Sequence, residues 1–220
     1  MPVRLGPSSI TTIRTMTSHP SRREHITTSL SSVLSSVKAA SSSPARLVAV
    51  SKYIPPDDIR VAYDAGQRHF GENYIQELIT KSTELPEDIK WHFIGALQSN
   101  KCKLLVEKVR NLWCVETVDS QKKAGLLDKA TATTERSQLL KVFIQINTSG
   151  EERMSYEMNL IAEKAGVPPK DALSLVKYIR EECHNLEFSG LMTIGSASAS
   201  HSAQEEKKNP DFEVWLFRSG

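Results

Sequence analysis

The fold can be predicted from one short apolar run, Leu47-Val48-Ala49-Val50, which Ser51-Lys52 follow at once and a turn at Pro55-Pro56 closes. A continuous apolar run bounded by turn residues is typical of a strand that is buried on both faces of a parallel sheet. Similar runs recur along the chain, separated by apolar residues at helical spacing. The predicted strands lie near residues 47–50, 69–71, 90–95, 112–117, 140–147 and 186–194. Strands and helices that alternate without hairpin signals indicate βαβ units around a parallel sheet.

Two parallel α/β architectures fit this alternation, a doubly wound sheet and a (β/α) barrel. The chain has no GxGxxG after its first strand and no GxxxxGK[ST], which weakens the case for a nucleotide-binding sheet. A complete TIM-type barrel has eight strands, whereas six are predicted here. The pattern alone leaves both architectures open, and a barrel would be short at its C-terminal end.

The chain begins with a basic segment and then changes character. Residues 1–21 are rich in Ser and Thr, and Glu24, which follows four arginines, is the first acidic residue. This composition is typical of a mitochondrial transit peptide, and a disordered tail is the alternative. Apolar residues at helical spacing predict one helix over residues 22–40. We expect a leader at residues 1–21 and a single domain at residues 22–220. The expected location is the cytoplasm, or the mitochondrion if the leader acts as a transit peptide.

The composition excludes several classes of protein. Hydrophobic residues make up 39% and charged residues 25%, which suits a packed core. No apolar run approaches the roughly 18 residues of a membrane span, so no membrane association is predicted. The net charge of +2 (28 − 26) does not indicate a nucleic-acid partner. Cys102, Cys114 and Cys183 form no CxxC pair, so we interpret them as structural residues in a reducing compartment, with no disulfide scaffold and no metal site.

The strongest candidate for chemistry is Lys52. Functional side chains of parallel α/β folds collect at the carboxyl ends of the strands, and Lys52 directly follows the first predicted strand. An amine that is partly desolvated there would have a lowered pKa and would favour nucleophilic chemistry such as Schiff-base formation. The alternative is that Lys52 extends into solvent or pairs with a carboxylate such as Asp57.

Three further polar residues lie in or after predicted strands. His92 is interpreted first as a hydrogen-bonded histidine of the core or rim, with acid–base catalysis as the alternative. Asn73 and Asn147 follow strands and could orient a ligand through hydrogen bonds, although asparagine is common in any such turn.

Five sequence blocks occur in the order of a known family. They are residues 49–52 (Ala-Val-Ser-Lys), 70–74 (Phe-Gly-Glu-Asn-Tyr), 91–101 (Trp-His-Phe-Ile-Gly-Ala-Leu-Gln-Ser-Asn-Lys), 147–151 (Asn-Thr-Ser-Gly-Glu) and 190–195 (Gly-Leu-Met-Thr-Ile-Gly). From about Arg22 to about Glu213, the chain resembles the pyridoxal phosphate homeostasis proteins, also called YggS- or PROSC-like proteins. Their fold is similar to the barrel domain of alanine racemase. The resemblance therefore implies an α/β barrel of TIM type, which in this chain would lack its last two strands.

The resemblance implies a cofactor and a role. Lys52 would hold pyridoxal 5′-phosphate as a Schiff base. Asn73, His92, Asn147 and Met192, which lie in or at the ends of predicted strands, are the further candidates for binding this cofactor. Family members are regarded as carriers or buffers of the cofactor without established turnover, and apo-enzymes that receive the cofactor are the expected partners. The alternative is a pyridoxal phosphate-dependent amino-acid racemase, but racemisation needs a second base on the opposite face of the cofactor, and racemases complete that site with a second, all-β domain.

The chain departs from the family pattern in two places. Residues 153–163 are an insertion, predicted to extend a loop at the ligand face. After Glu213, relatives continue through two strands whose loops hold the phosphate, and this chain ends differently. Misread introns would explain both departures. Without those loops we expect weak binding of pyridoxal phosphate and little discrimination against pyridoxal.

Overall fold

The computed structural model describes residues 21–148, 152–154, 161–163 and 166–194. Within these ranges the helices are α1 (Arg22–Ala40), α2 (Pro56–Asp64), α3 (Ile75–Glu84), α4 (Cys102–Lys108), α5 (Gln121–Ala132) and α6 (Ala172–Glu182). The strands are β1 (Ala49–Val50), β2 (His69–Glu72), β3 (Lys90–Phe93), β4 (Leu112–Val118), β5 (Leu140–Ile146), β6 (Glu152–Met154), β7 (Ile161–Glu163) and β8 (Leu186–Thr193). The predictions for residues 1–20 and for the end of the chain lie outside the described residues.

The main sheet is parallel, as predicted. Its strand order is β1-β2-β3-β4-β5-β8, and a helix precedes each strand after the first. Each of the six predicted strands has its counterpart in this sheet. In the described part of the chain, β1 and β8 each pair with one neighbour, which makes them the edges of the sheet. This architecture confirms the prediction of a partial α/β barrel of TIM type.

A short antiparallel ladder departs from the prediction. Strands β6 and β7 pair with Glu152 opposite Glu163 and Met154 opposite Ile161, inside the insertion that was expected to be a loop. Hairpins are recognised from turn residues such as Gly, Pro and Asn-Gly, and residues 155–160 contain no Gly or Pro. The absence of these signals explains why the sequence pattern did not predict the ladder.

The core lies between the parallel sheet and the helices packed on it. In β3, Trp91 and Phe93 are fully buried among helix residues such as Leu78 and Leu105. Burial of each such side chain contributes roughly 1.5–3 kcal/mol to folding. Because successive side chains of a strand point to opposite faces, His92 lies on the other face of the sheet. That second face carries a polar cluster.

Helix α1 precedes the sheet and spans the residues predicted for it. Ser21 and Glu24 form a capping box at its start, in which each side chain accepts from the other residue's backbone N–H. An ion pair of 2.6 Å joins Arg22 to Asp58 and holds α1 against α2. None of the helices in the described ranges, α1 included, is long and apolar enough to cross a membrane.

Candidate functional site

The turn after β1 presents Lys52 at the carboxyl edge of the sheet. The backbone N–H of Ser51 donates to the carbonyl of Gly71 (2.9 Å), and the N–H of Ile54 donates back to the carbonyl of Ser51 (3.0 Å). Tyr53 has φ 62°, a left-handed conformation that is uncommon for a residue with a bulky side chain. Lys52 is exposed, so the partial desolvation expected from its position is absent in this structure. In the sheet that the described residues form, β1 is an edge strand and has a neighbouring strand on one side.

A network of buried charges lies directly behind this turn. The ammonium of Lys81, on α3, donates to the carbonyl of Ser51, to Oε1 of Glu72 and to Oε1 of Glu77, each at 2.7 Å. The hydroxyl of Ser51 donates to the same Glu72 oxygen at 2.6 Å. The backbone N–H of Tyr53 donates to Oε1 of Glu77 at 2.8 Å. The network therefore bonds to both residues that flank Lys52.

The members of this network differ in burial. Glu72 is fully buried, the Lys81 side chain is 4% exposed, and Glu77 is 24% exposed. Burial raises the pKa of Glu72, and the hydrogen bonds from Lys81 and Ser51 oppose that rise. The second carboxylate oxygen of Glu72, Oε2, is buried without a hydrogen-bond partner in the described structure. The site thus contains a carboxylate that is satisfied on one oxygen only.

Glu72 lies in the sequence block 70–74, whereas Lys81 and Glu77 were not predicted as site residues. A signal for Lys81 was present, because residues 78, 81 and 85 fall on one face of α3 and are all buried. A lysine on the apolar stripe of a helix needs a buried partner. Glu77, four residues earlier, is one such partner.

The ends of β2, β3 and β4 are joined by close backbone contacts. Gly95 lies so near the turn after β2 that a Cβ at this position would be 2.0 Å from the carbonyl oxygen of Asn73. The hydroxyl of Thr117, in β4, donates to the carbonyl of Gly95 at 2.7 Å. The side-chain oxygen of Asn73, Oδ1, is buried and has no hydrogen-bond partner among the described residues. Asn73 therefore offers an acceptor beside the strand end that precedes Lys52.

Asn147 and Met192 lie together on the other side of the sheet edge. Met192 pairs in register with Gln145, two residues before Asn147. The backbone N–H of Asn147 donates to the carbonyl of Val167 at 2.9 Å. The ends of β5 and β8 also bring two hydroxyls together, Thr148 and Thr193, at 2.6 Å. The predicted site residues thus lie on two groups of neighbouring strands, with β3 and β4 between them. Lys52 and Asn73 follow β1 and β2, and Asn147 and Met192 lie at the ends of β5 and β8.

His92 has a different environment from the strand-end residues. It is buried, its Nε2 is 2.8 Å from Nδ1 of His69, and its Nδ1 is hydrogen-bonded to Glu116. The ring of Trp113 packs against both imidazoles, with centroids 4.9 Å away. Sγ of Cys114 is also nearby, since it lies within 4.8 Å of ligand-type atoms of His92 and Glu116. Because both nitrogens of His92 are already bonded, the geometry favours the hydrogen-bonded histidine over a cofactor ligand, and the cofactor-binding role of His92 stays a prediction.

The polar cluster around His92 changes the protonation of His69. Burial, followed by the electrostatic effects of His92, Arg46 and Lys90, lowers the pKa of His69 from 6.5 to about 4. His69 is therefore neutral near pH 7.

The three cysteines are buried free thiols, in keeping with the structural interpretation. Burial is the main cause that raises the pKa of Cys102 and of Cys183 to about 11, and it raises that of Cys114 further. Thiols protected in this way are poor nucleophiles and poor metal ligands near neutral pH.

The chain belongs to the family defined by the N-terminal domain of alanine racemase, because the model of that family matches residues 28–215. It is 47% identical over 168 residues to the pyridoxal phosphate homeostasis protein of Schizosaccharomyces pombe. That match covers 76% of this chain and 64% of the yeast protein, so the chain spans less than two thirds of this relative's length. The resemblance seen in the five sequence blocks is confirmed.

Solved structures support the same assignment. PipY of Synechococcus elongatus, determined with PLP (pyridoxal phosphate) bound, is 32% identical to this chain with a TM-score of 0.59, and the match covers 78% of this chain and 74% of PipY. An alanine racemase of Clostridium difficile has a TM-score of 0.58 at 12% identity, over 86% of this chain and 45% of the racemase. At that identity the racemase shows a shared fold alone.

Proposed function

We propose that this protein binds pyridoxal 5′-phosphate as a Schiff base on Lys52 and serves the intracellular homeostasis of that cofactor. The observation that carries the proposal is the exposed primary amine of Lys52, presented at the carboxyl end of the first strand by a turn bonded on both sides. Relatives at 46% and 47% identity are named pyridoxal phosphate homeostasis proteins, and the related PipY has been solved with PLP bound.

The residues of the site fit this cofactor chemically. Pyridoxal phosphate supplies an aldehyde, which condenses with a primary amine to form one C=N bond and release one water molecule. Lys52 provides an accessible amine for that step. The unpartnered Oδ1 of Asn73 provides an acceptor for a hydroxyl or a protonated ring nitrogen. The hydroxyls of Thr148 and Thr193 are hydrogen-bond donors of the kind that phosphates bind.

We propose a carrier role without catalytic turnover. A Schiff base forms and hydrolyses reversibly, so an exposed lysine can accept the cofactor and release it to apo-enzymes that need it. The alanine racemases share the fold with this chain at 12% identity, which supports no transfer of their reaction.

An absorbance titration tests the proposal. Pyridoxal phosphate is added to the wild-type chain, to Lys52→Ala, and to Lys122→Ala as a control for another exposed lysine. We expect the absorbance band of a protonated Schiff base in the wild type and in Lys122→Ala, and its loss in Lys52→Ala. Borohydride reduction followed by peptide mass spectrometry should place the adduct on Lys52. An unchanged band in Lys52→Ala would refute the assignment, and racemisation of D- or L-alanine by the loaded wild type would favour the racemase.

A further inference from the structure

We propose that Glu72, Lys81 and Glu77, here called the charged array, are positioning residues for Lys52. The array holds Ser51 and Tyr53, the two neighbours of Lys52 in the chain, and so fixes the turn from which the amine projects. This inference rests on the proposed function, because it assigns a role in presenting the amine that forms the Schiff base.

The hydrogen bonds of the array are directed at the turn. In the described part of the chain, each side-chain hydrogen bond of the three residues ends on another member, on Ser51 or on Tyr53. On one side of Lys52, the carbonyl of Ser51 accepts from Lys81 and its hydroxyl donates to Glu72. On the other side, the N–H of Tyr53 donates to Glu77. Lys52 thus lies between two anchored residues.

The backbone of Tyr53 explains why an anchor is needed. Its φ of 62° is unfavourable for an L-residue with a large side chain, so the conformation persists only where its surroundings hold it. Tyr53 is 73% exposed. Its ring contacts that of Tyr74, with centroids 5.2 Å apart, and the two hydroxyls are hydrogen-bonded, but these contacts hold the side chain and not the backbone. The bond to the Glu77 carboxylate acts on the backbone itself. Loss of that bond should let the turn relax and Lys52 sample other directions.

The burial of the array indicates a specific purpose. A fully buried glutamate and a lysine with a 4% exposed side chain are costly to desolvate, and apolar residues of similar size would pack behind the turn with less penalty. Apolar residues would not bond the carbonyl of Ser51 or the N–H of Tyr53. The charges therefore provide directionality that packing alone cannot provide.

Glu77 is the member best suited to a test, because it is 24% exposed and its replacement leaves the Glu72–Lys81 pair in place. Glu77→Ala removes the acceptor for Tyr53, whereas Glu77→Gln keeps a carbonyl oxygen in that position. Gln76→Ala, an exposed residue of the same helix, is the matched control.

The first measurement uses the cofactor-free chain and follows hydrogen exchange of the Tyr53 amide. A hydrogen bond to a charged acceptor corresponds to a change of about tenfold or more in the opening equilibrium. We therefore expect Glu77→Ala to accelerate exchange of this amide by about tenfold, while Glu77→Gln and Gln76→Ala stay near the wild-type rate.

The second measurement compares adducts at Lys52 and Lys122 after brief exposure to pyridoxal phosphate and borohydride trapping. Lys122 is an internal reference for an unassisted surface amine. We expect a strong preference for Lys52 in the wild type, a fall in that preference of about tenfold in Glu77→Ala, and its recovery in Glu77→Gln.

The outcomes separate the inference from the proposed function. The inference would be overturned if the Tyr53 amide exchanged at the same rate in wild type and Glu77→Ala, or if both proteins formed adducts at Lys52 with the same preference over Lys122. Neither result would contradict the Schiff base on Lys52. The inference would also be overturned if Gln76→Ala lost the preference, or if Glu77→Gln failed to restore it. Absence of trapping at Lys52 in the wild type would overturn the proposed function, and the inference with it.

Discussion

His69 is predicted to make the stability of this protein sensitive to acid. The imidazole lies at the start of β2, 2.8 Å from His92 and edge-on to the ring of Trp113. Its pKa is lowered from 6.5 to about 4, first by burial and then by neighbouring positive charges. The folded protein therefore resists protonation of a group that the unfolded chain protonates readily. Replacement by asparagine keeps an amide that can donate or accept a hydrogen bond near the position of Nδ1, and it removes the titration.

The sign and the size follow from linkage. Because the pKa of His69 is depressed in the folded state, its contribution to stability is fully present above about pH 6.5 and is lost as the pH falls towards 4. A pKa difference of one corresponds to about 1.36 kcal/mol. The fall in the pKa of His69 from 6.5 to about 4 therefore limits the loss of stability to about 3 kcal/mol. His69 is partly exposed, and solvent screening reduces the expected loss to about 1.5 kcal/mol.

Urea unfolding at a series of pH values measures this loss. Between about pH 7 and about pH 4, the free energy of unfolding of the wild type should fall by about 1.5 kcal/mol relative to that of His69→Asn. His184→Asn, at an exposed histidine, should follow the wild type. Parallel curves for wild type and His69→Asn would refute the reasoning, because they would show that His69 titrates alike in the folded and unfolded states.

Two further predictions concern packing. Gly95→Ala places a Cβ 2.0 Å from the carbonyl oxygen of Asn73, so the free energy of unfolding measured in urea should fall by about 1–3 kcal/mol. A variant as stable as the wild type would contradict the close approach. The three buried thiols should not react with a thiol reagent such as dithionitrobenzoate in the native protein and should all react in urea, and rapid native labelling of any of them would contradict their burial.

The main sheet could be predicted from sequence because its signals are local. The apolar run after Arg46 predicted strand β1. The alternation of strand and helix patterns predicted that neighbouring strands of the sheet are parallel. Helix α1 spans residues 22–40, as predicted from its apolar spacing. The capping box of Ser21 and Glu24 lies at the start of this helix. The β6–β7 ladder was not predicted because residues 155–160, between its two strands, contain no Gly or Pro to indicate a turn.

The candidate site was less predictable because its contacts are distant in sequence. Lys52 could be selected from its position after a strand, but its exposure depends on β1 being an edge of the described sheet. The bonds from Lys81 to Ser51 and from Glu77 to Tyr53 span 30 and 24 residues. In sequence, Glu77 and Lys81 look like an ordinary surface pair on a helix. Only the packing of α3 on the sheet turns that pair inward, behind the turn.

Strand β2 brings two titrating systems of opposite sign to its two faces. His69 and Glu72 are three positions apart, so their side chains point to opposite faces: His69 meets His92, and Glu72 meets Lys81 of α3. Burial raises the pKa of Glu72, so the contribution of Glu72 to stability is fully present below its ordinary pKa of 4.5. That contribution is lost as the pH rises through the pKa that Glu72 has in the folded protein. Acid therefore removes the contribution of His69 while it relieves the cost of ionised Glu72.

The two effects offset each other in the wild type, so a flat acid profile there would not mean that neither group titrates. His69→Asn removes the His69 effect and keeps that of Glu72, so the variant should lose less stability than the wild type as the pH falls towards 4.5. Because Glu72 is present in both proteins, its effect cancels in the difference between the two curves, and that difference, not the wild-type curve, isolates the charge of His69.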